Sequence, residues 1–285
     1  FGSGSGPAEP RAIAVDSTGS AYITGSTPSS GTTGTDVFIT KLNAAGTATV
    51  YSQFIRGAKE DTGNAIAVDA VGNAYVTGQT SSIDFTVTPG VVQTAFGGGP
   101  AFRSSDAGTN WTPASAGIGR TSLYALAIAQ TTPPTLYAGA DDEILGGVYK
   151  SANGGSNWTP ASTGLTDFRT HALAVDPANP ATIYAGTRSA GVFKSVNGGA
   201  TWTATALGSA FVTAIAIDPV TPTTVYAALS GGGVYKSANA GTTWTAINNG
   251  LLSSNVQSIA INPATPTTLY AGTTSGIYKS TDGGA

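Results

Sequence analysis

The stretch Ser195-Val196-Asn197-Gly198-Gly199-Ala200-Thr201-Trp202 is one copy of a motif, Ser-x-Asp/Asn-x-Gly-x-x-Trp, that decides the fold. The four complete copies are Ser104, Asp106, Gly108 and Trp111; Ser151, Asn153, Gly155 and Trp158; Ser195, Asn197, Gly199 and Trp202; and Ser237, Asn239, Gly241 and Trp244. Their tryptophans are the only four of the chain and lie 47, 44 and 42 residues apart. A period in this range is typical of repeats in which each unit is one small sheet that stacks on its neighbours.

Each repeat contains four short strand signals. In one unit these are Ala172–Val175, Ile183–Gly186, Val192–Lys194 and the Trp-Thr that ends the motif. The residues alternate between small or polar and aliphatic or aromatic, which is the period of a strand. Four antiparallel strands per unit, stacked around an axis, predict an all-β protein of the β-propeller class.

The first hundred residues repeat at a longer spacing. Ala12–Asp16 and Ala21–Gly25 recur 53 residues later as Ala65–Asp69 and Ala74–Gly78. We therefore expect a single propeller over residues 1–285, with two long blades in 1–97, the second merging into the motif type, and compact blades in 98–285. The total is about six four-stranded blades.

The last copy of the motif, with Ser280, Asp282 and Gly284, stops before its tryptophan. The last blade should therefore lack its outer strand, which leaves an open edge at Gly276–Ser280. Natural sheets avoid such edges. The missing strand comes either from unseen chain or from elsewhere, including exchange between subunits. The absence of Met, even at position 1, also indicates a processed or excerpted segment.

The composition restricts the function. Only 9% of the residues are charged, the net charge is -3 and the pI is near 5.0, so there is no basic stripe for nucleic acid. With no Cys there are no disulfides or thiolate metal sites. No apolar run reaches the ~18 residues of a membrane helix. The Thr- and Gly-rich, Lys-poor character predicts an extracellular or cell-surface segment.

The motif resembles the Asp-box, or bacterial neuraminidase repeat, of sialidases, xyloglucanase-type glycosidases, sortilin-type receptors and photosystem stability factors. The N-terminal third resembles the SBBP-type propeller repeat of bacterial surface proteins. The residues that carry this second resemblance are Asn64–Asp69, Gly72–Gly78, and Asp84-Phe85 before Thr88-Pro89-Gly90. Both resemblances imply the propeller fold and say little about function.

In the Asp-box families the motif is a hairpin between the third and fourth strands, away from the active face. The residue types agree with a structural role, because Ser and Asp or Asn cap turn amides and Gly permits a positive φ. Asn replaces Asp in three of the four complete copies. A turn cap tolerates that change and a catalytic or metal-binding carboxylate does not.

An enzyme is disfavoured. A sialidase resemblance would require an arginine cluster, a Tyr nucleophile with a Glu partner, and a Phe/Tyr-Arg-Ile-Pro segment, whereas Phe168-Arg169 is followed by Thr170-His171. A general glycosidase needs two carboxyls across a cleft. We therefore predict no enzymatic activity, no catalytic residues and no cofactor, with a glycan-binding or sialidase- or xyloglucanase-like hydrolytic propeller as the alternative.

Binding residues are expected on the loops of the face opposite the motif hairpins, since loops on a rigid scaffold usually carry binding. They are Arg120, Asp141, Asp142, Glu143, Asp167, Phe168, Arg169 and Arg188. The acidic triplet Asp141–Glu143 is a possible calcium ligand, although neighbouring acids on a loop are more often only solvated. Asp16, Asp69, Asp176 and Asp218 end first strands and are interpreted as turn caps rather than a cation ring.

These observations predict a structural or binding module of a bacterial cell-surface protein or fibre. The expected partners are protein, through self-association or the remainder of a larger surface protein, or glycan. Nucleic acid is not expected as a partner.

Overall fold

The computed structural model describes residues 7–29, 34–82, 101–106, 110–119 and 121–285. Their strands form six sheets, five of four strands and a last one of three. The predicted class, an all-β propeller with six blades and a last blade that lacks its outer strand, is confirmed. The chain divides into two compact units, residues 1–138 with 150–159 (unit 1) and residues 139–149 with 160–285 (unit 2).

Unit 1 contains two complete sheets, whose strands are antiparallel and adjacent in chain order. The first consists of β1 (Glu9–Val15), β2 (Ala21–Pro28), β3 (Thr35–Leu42) and β4 (Thr49–Ile55). The second consists of β5 (Asp61–Val68), β6 (Ala74–Thr80), β7 (Ala101–Ser104) and β8 (Thr112–Pro113). The second sheet thus draws two strands from the long repeats and two from the first copy of the motif.

The third sheet has the order β12-β11-β10-β9. Its strands are β9 (Leu123–Ala129), β10 (Thr135–Ala140), β11 (Gly147–Ser151) and β12 (Thr159–Pro160). The boundary between the two units falls within β10, β11 and β12.

Unit 2 contains the remaining three sheets. The fourth consists of β13 (Thr170–Val175), β14 (Ile183–Thr187), β15 (Val192–Ser195) and β16 (Thr203–Ala204). The fifth consists of β17 (Val212–Ile217), β18 (Val225–Leu229), β19 (Gly233–Ser237) and β20 (Thr245–Ala246). The sixth consists of β21 (Val256–Ile261), β22 (Leu269–Thr273) and β23 (Gly276–Ser280).

The core of unit 2 lies between consecutive sheets. Tyr184 and Val192 of the fourth sheet pack with Val212 and Val225 of the fifth, and all four are 1% exposed or less. These residues alternate with residues of the other face, as the two-residue period of a strand requires. Because each sheet is apolar on both sides, it is stable only when a neighbour covers it.

A basic residue on the third strand lies opposite a tyrosine on the second strand in most sheets. The registered pairs are Tyr22 with Lys41, Tyr75 with Arg103, Tyr184 with Lys194, Tyr226 with Lys236, and Tyr270 with Lys279. The Lys194 ammonium lies 5.5 Å from the Tyr184 ring centroid and donates to the Ala240 carbonyl oxygen at 3.3 Å, in the next motif hairpin. These basic side chains therefore contribute to the packing of consecutive sheets.

Candidate functional site

The motif forms a tight hairpin, called here the motif hairpin, between the third and fourth strands of a sheet. In the fourth sheet, Ser195 Oγ donates to Asn197 Oδ1 at 2.9 Å and accepts the Gly199 N–H at 2.9 Å. Asn197 Oδ1 also accepts the Thr201 N–H at 2.9 Å. Gly199 has a φ of 80°, a left-handed conformation that favours glycine. Both polar side chains are thus engaged within the turn.

The hairpin of the fifth sheet repeats these contacts. Ser237 Oγ donates to Asn239 Oδ1 at 3.0 Å and accepts the Gly241 N–H at 2.9 Å. Asn239 Oδ1 accepts the Thr243 N–H at 2.8 Å, and Asn239 Nδ2 donates to Thr243 Oγ1 at 2.9 Å. Asn239 thus caps its own turn, as the sequence predicted for a structural position of the motif.

The remaining copies have the same geometry. The serine Oγ to Asp or Asn Oδ1 distances are 2.8 Å between Ser104 and Asp106, 2.9 Å between Ser151 and Asn153, and 2.6 Å between Ser280 and Asp282. The glycines Gly155 and Gly284 donate their N–H to these serines at 2.9 and 2.8 Å. Gly108 lies outside the described residues. This recurrence supports a turn-forming role rather than a chemical one.

Each of three motif tryptophans bonds to a residue that follows the outer strand of the preceding sheet. Within unit 1, Trp158 Nε1 donates to the Ala114 carbonyl oxygen at 2.6 Å. Within unit 2, Trp202 Nε1 donates to the Ala161 carbonyl oxygen at 2.7 Å and Trp244 Nε1 to Thr205 Oγ1 at 3.3 Å. The indoles therefore join consecutive sheets.

A cluster of charged side chains lies on the loops of unit 2 and at the start of β13. It is called here the charged loop cluster and consists of Asp141, Glu143, Asp167, Arg169, His171 and Arg188. An isolated antiparallel bridge between Asp141, just after β10, and Arg169, just before β13, brings these loops together. A chain with only 9% charged residues thus concentrates six titratable groups in one place.

Every carboxylate of the cluster faces a basic side chain. Asp167 accepts from Arg169 Nε at 3.1 Å, and its other oxygen accepts from Ser189 Oγ at 2.6 Å. Glu143 lies 3.6 Å from Arg169. Asp141 lies 3.2 Å from His171 Nε2 and 3.7 Å from Arg188. At neutral pH the two arginines therefore offset two of the three carboxylate charges of the cluster.

Apolar and aromatic side chains border the cluster. The Phe211 ring lies 4.9 Å from the His171 ring, edge to face, and 5.8 Å from the Arg188 guanidinium. Ile144 is 86% exposed and Phe168 is 37% exposed. A surface that mixes an exposed aromatic ring, aliphatic side chains and arginines is typical of a binding region.

The pKa shifts do not favour acid catalysis at the cluster. Burial tends to raise the pKa of Asp167, but hydrogen bonds from Ser189 and Arg169 outweigh it and lower the pKa below the usual value. The N–H groups of Leu145 and Ile144 lower the pKa of Asp142. Burial lowers the pKa of His171, although Asp141 opposes this. At neutral pH both aspartates are ionised and the histidine is neutral.

The structure brings together five of the eight residues predicted for binding, namely Asp141, Glu143, Asp167, Arg169 and Arg188. Asp142 caps its own turn, since its Oδ1 accepts the N–H of Ile144 and of Leu145 at 2.8 Å. Phe168 lies between Asp167 and Arg169 and is partly exposed. Arg120 lies outside the described residues.

Sequence reasoning missed three members of this region: Ser189, Phe211 and His171, the last of which was interpreted as incidental. Their contacts with Asp167, Arg188 and Asp141 join segments 22 to 30 residues apart, and no local pattern marks them.

Within the described ranges, no group of three or more His, Asp or Glu side chains is placed to hold a metal ion. The aspartates that end the first strands cap turns, as predicted. Asp176 Oδ1, for example, accepts the N–H of Ala178 at 2.9 Å and of Asn179 at 3.1 Å. Nor does this part of the chain contain a helix of the length and hydropathy needed to cross a bilayer.

Comparison with known proteins supports the fold. A family model described as SBBP, beta-propeller repeat, matches residues 52–86. No curated protein matches the chain. Among solved structures, the GH74 enzyme of Niastella koreensis is 23% identical over 78% of this chain and 36% of its own, with a TM-score of 0.58.

Two further structures match nearly the whole chain. YCF48 bound to D1 peptide is 14% identical over 95% of this chain and 76% of its own, with a TM-score of 0.60. PorZ, a surface component of the type-IX secretion system of Porphyromonas gingivalis, is 15% identical over 96% of this chain and 38% of its own, with a TM-score of 0.62. The chain thus spans little more than a third of the GH74 enzyme and of PorZ. Identities this low establish similarity of fold alone.

Proposed function

We propose that this chain is a non-enzymatic β-propeller that serves as a structural and binding module of a bacterial cell-surface protein or fibre. The observation that carries the proposal is the charged loop cluster, in which Asp141, Glu143 and Asp167 face Arg188 and Arg169. These pairs fix the loops and present partly exposed Phe168 beside them. A rigid loop surface whose carboxylates are held in ion pairs is suited to recognition rather than to proton transfer.

Glycoside hydrolysis would need a carboxyl that is protonated near neutral pH and a second carboxylate about 5 to 9.5 Å away across an accessible cleft. The pKa of Asp142 and of Asp167 is lowered, which is the wrong direction for a general acid. Asp61 has a pKa raised to about 6, but its side chain is fully buried and accepts from the Thr80 and Ser82 hydroxyls. Neither location supports an active site.

An extracellular location is supported by the Thr- and Gly-rich composition and by the SBBP repeat. The similar fold of PorZ, an essential bacterial surface component, agrees with it. The structure of YCF48 was determined with a peptide bound, so a propeller of this kind can act by binding another polypeptide. Protein is accordingly the partner that we favour, and glycan is the alternative.

The proposal is tested by screening the purified chain against polysaccharides, sialosides and surface-protein fragments for turnover and for binding. We expect no turnover, and we expect saturable binding that Phe168→Ala weakens at least tenfold. Val196→Ser, which replaces another exposed apolar residue, is the matched control and should bind as the wild type does. Turnover that is abolished by Asp142→Asn or Asp167→Asn would overturn the proposal. Binding of a glycan without turnover would define the module as a lectin.

A further inference from the structure

The loop between β10 and β11 is longer than its counterparts in unit 2. It covers residues 141–146, whereas the corresponding loops cover 188–191 between β14 and β15 and 230–232 between β18 and β19. Neither shorter loop contains a carboxylate, and the longer one contains Asp141, Asp142 and Glu143. This loop, called here the acidic loop, therefore differs from its counterparts in both length and charge.

Hydrogen bonds brace the acidic loop. The Asp142 Oδ1 caps the turn by accepting the N–H groups of Ile144 and Leu145, each at 2.8 Å. The Tyr149 hydroxyl of β11 donates to the Leu145 carbonyl oxygen at 2.7 Å. The positions of the side chains that follow Asp142 are thus determined by the folded chain before any partner binds.

Three apolar side chains are exposed on this braced frame. Ile144 is 86% exposed, Leu145 is 48% exposed and Phe168 is 37% exposed. Phe168 lies against the loop, because its carbonyl oxygen accepts the Gly147 N–H and a Cβ at Gly146 would lie 2.3 Å from that oxygen. Neighbouring apolar side chains that are fixed in water are typical of an interaction surface.

The charges around these apolar side chains are predominantly negative. They come from four carboxylates and two guanidinium groups, which belong to Asp141, Asp142, Glu143 and Asp167 and to Arg169 and Arg188. Four negative and two positive charges leave -2, which is most of the net charge of -3 of the whole chain. Lys194 and Lys236 do not offset this charge, because they donate to carbonyl oxygens of motif hairpins.

Two of the carboxylates are accessible to a partner. The Glu143 side chain is 79% exposed, although Arg169 lies 3.6 Å from it. Asp142 is partly exposed and accepts N–H groups of its own turn. Within the described part of the chain, no basic side chain forms an ion pair with Asp142. A cationic group from outside can therefore approach both carboxylates.

We propose that the acidic loop and Phe168 bind a polypeptide segment that carries lysine or arginine beside aliphatic side chains. This inference rests on the proposed role as a binding module and specifies the chemistry of its partner. The aliphatic side chains would pack on Ile144, Leu145 and Phe168, and the basic side chains would pair with Asp142 and Glu143. Apolar contact would supply affinity, and the charges would select the partner and accelerate association.

The same excess of carboxylates disfavours anionic partners. Sialosides, anionic lipid headgroups and nucleic acid phosphates would all be repelled by a surface of charge -2. A neutral glycan would gain nothing from that charge. A basic, partly apolar polypeptide is the partner that complements both properties of the surface.

The test measures binding of the whole chain to three blocked octapeptides by isothermal titration. The first is Gly-Lys-Lys-Leu-Leu-Lys-Lys-Gly, in which each face of the extended peptide presents a leucine between two lysines, because side chains alternate along a strand. The second has glutamate in place of lysine, and the third has serine in place of leucine. We expect the first peptide to bind one-to-one and at least tenfold more tightly than the other two.

Variants of the protein locate the binding. The double variant Asp142→Asn, Glu143→Gln removes two charges, and the asparagine keeps the Oδ1 acceptor that caps the turn, so this variant should melt as the wild type does. It should bind the first peptide at least tenfold more weakly and with a smaller dependence on ionic strength. Ile144→Ser should weaken binding at least threefold. Glu60→Gln, which removes an exposed carboxylate of unit 1, is the matched control and should bind as the wild type does.

The inference would be overturned by a glutamate peptide that binds as tightly as the lysine peptide, or by undiminished binding to the double variant. Equal binding of the leucine and serine peptides, or no binding of any of the three, would overturn it as well. Binding of a surface-protein fragment that depends on Phe168 but shows no preference for lysine would refute the partner chemistry and leave the proposed function intact. Turnover abolished by Asp142→Asn would instead refute the proposed function.

Discussion

The indole Nε1 of Trp202 donates a 2.7 Å hydrogen bond to the backbone carbonyl oxygen of Ala161. Ala161 follows β12 in the third sheet and Trp202 precedes β16 in the fourth. One atom of the motif thus connects two sheets, and this bond explains why a repeat spaced more than 40 residues apart retains its tryptophan.

Replacing this indole should therefore cost stability. Trp202→Phe keeps an aromatic ring but leaves the Ala161 carbonyl oxygen without its donor, so we expect a loss of about 1 to 3 kcal/mol in the free energy of unfolding. Urea unfolding followed by circular dichroism measures it. Trp244→Phe is the control, because that indole is partly exposed and its bond to Thr205 is longer, 3.3 Å. Equal losses in the two variants would contradict the importance of this hydrogen bond.

The motif hairpin should tolerate a negative charge at the Asp/Asn position but not the loss of the hydrogen-bond acceptor there. Asn153 Oδ1 accepts from Ser151 Oγ and from the Asn157 N–H, each at 2.9 Å. Asn153→Asp retains both bonds, as Asp106 does in the first copy, and should change stability by less than about 0.5 kcal/mol. Asn153→Ala should cost about 0.5 to 2 kcal/mol, as the loss of a capping side chain does. Thermal unfolding of both variants tests this, and similar costs would argue against a turn cap.

Stability should fall as the pH rises from about 4 to about 6 because of Asp61. Burial raises the pKa of this carboxyl from 3.8 to about 6, with hydroxyl donors Thr80 and Ser82 opposing the shift and Asp36 adding to it. Over this interval the folded chain holds a proton that the unfolded chain has released, so this group destabilises the fold progressively. Asp61→Asn should flatten the dependence of the melting temperature on pH between about 4 and 7.

Asp16 provides a control for this experiment, because its pKa is shifted in the opposite direction. Its burial is outweighed by hydrogen bonds from Thr18, Ser20 and Lys41, which lower its pKa to about 2. Its contribution to stability is present above about pH 4 and is lost as the pH falls toward about 2. Asp16→Asn should therefore lower the melting temperature above about pH 4 and remove the pH dependence only between about pH 2 and 4. A pH profile of Asp61→Asn that coincides with that of the wild type above about pH 4 would show that Asp61 does not titrate in this interval.

Calcium should not stabilise the chain through Asp141–Glu143. Asp141 and Glu143 face His171, Arg188 and Arg169, and the Asp142 Oδ1 already accepts two N–H groups. A ligand that binds the folded state raises the melting temperature. We therefore expect equal melting temperatures in millimolar calcium and in EDTA. A rise in calcium that disappears in Asp142→Asn would instead establish the triplet as a calcium site.

The motif hairpins could be predicted from the sequence because their contacts are local. Ser195, Asn197 and Gly199 bond to one another within five residues, so residue type and spacing determine the turn. Five of the six sheets follow from the repetition of that unit, and the first follows from the 53-residue repeat of the N-terminal third. The three strands of the sixth sheet could be predicted in the same way, by comparing the last repeat with its predecessors.

The charged loop cluster was predictable only in part. Its acids and arginines are conspicuous in a chain of low charge, but the ion pair between Asp141 and His171 joins residues 30 positions apart. Neither the secondary-structure propensity of single residues nor the periodicity of the sequence indicates which distant residues form such a pair. The packing role of the basic residues on the third strands was not predicted, for another reason. Their pattern, Tyr-Lys-Ser or Phe-Lys-Ser, recurs at Lys150, Lys194, Lys236 and Lys279 and was interpreted only as a strand signal.

The tryptophan bonds have a direction along the chain, since Trp158, Trp202 and Trp244 each reach back to a residue about 40 positions earlier. A ribosome produces the acceptor before the donor, and domains begin to fold during synthesis. Each newly made hairpin thus meets an acceptor segment that has already been synthesised. This polarity allows the blades to be added one by one as the polypeptide emerges, without waiting for its far end.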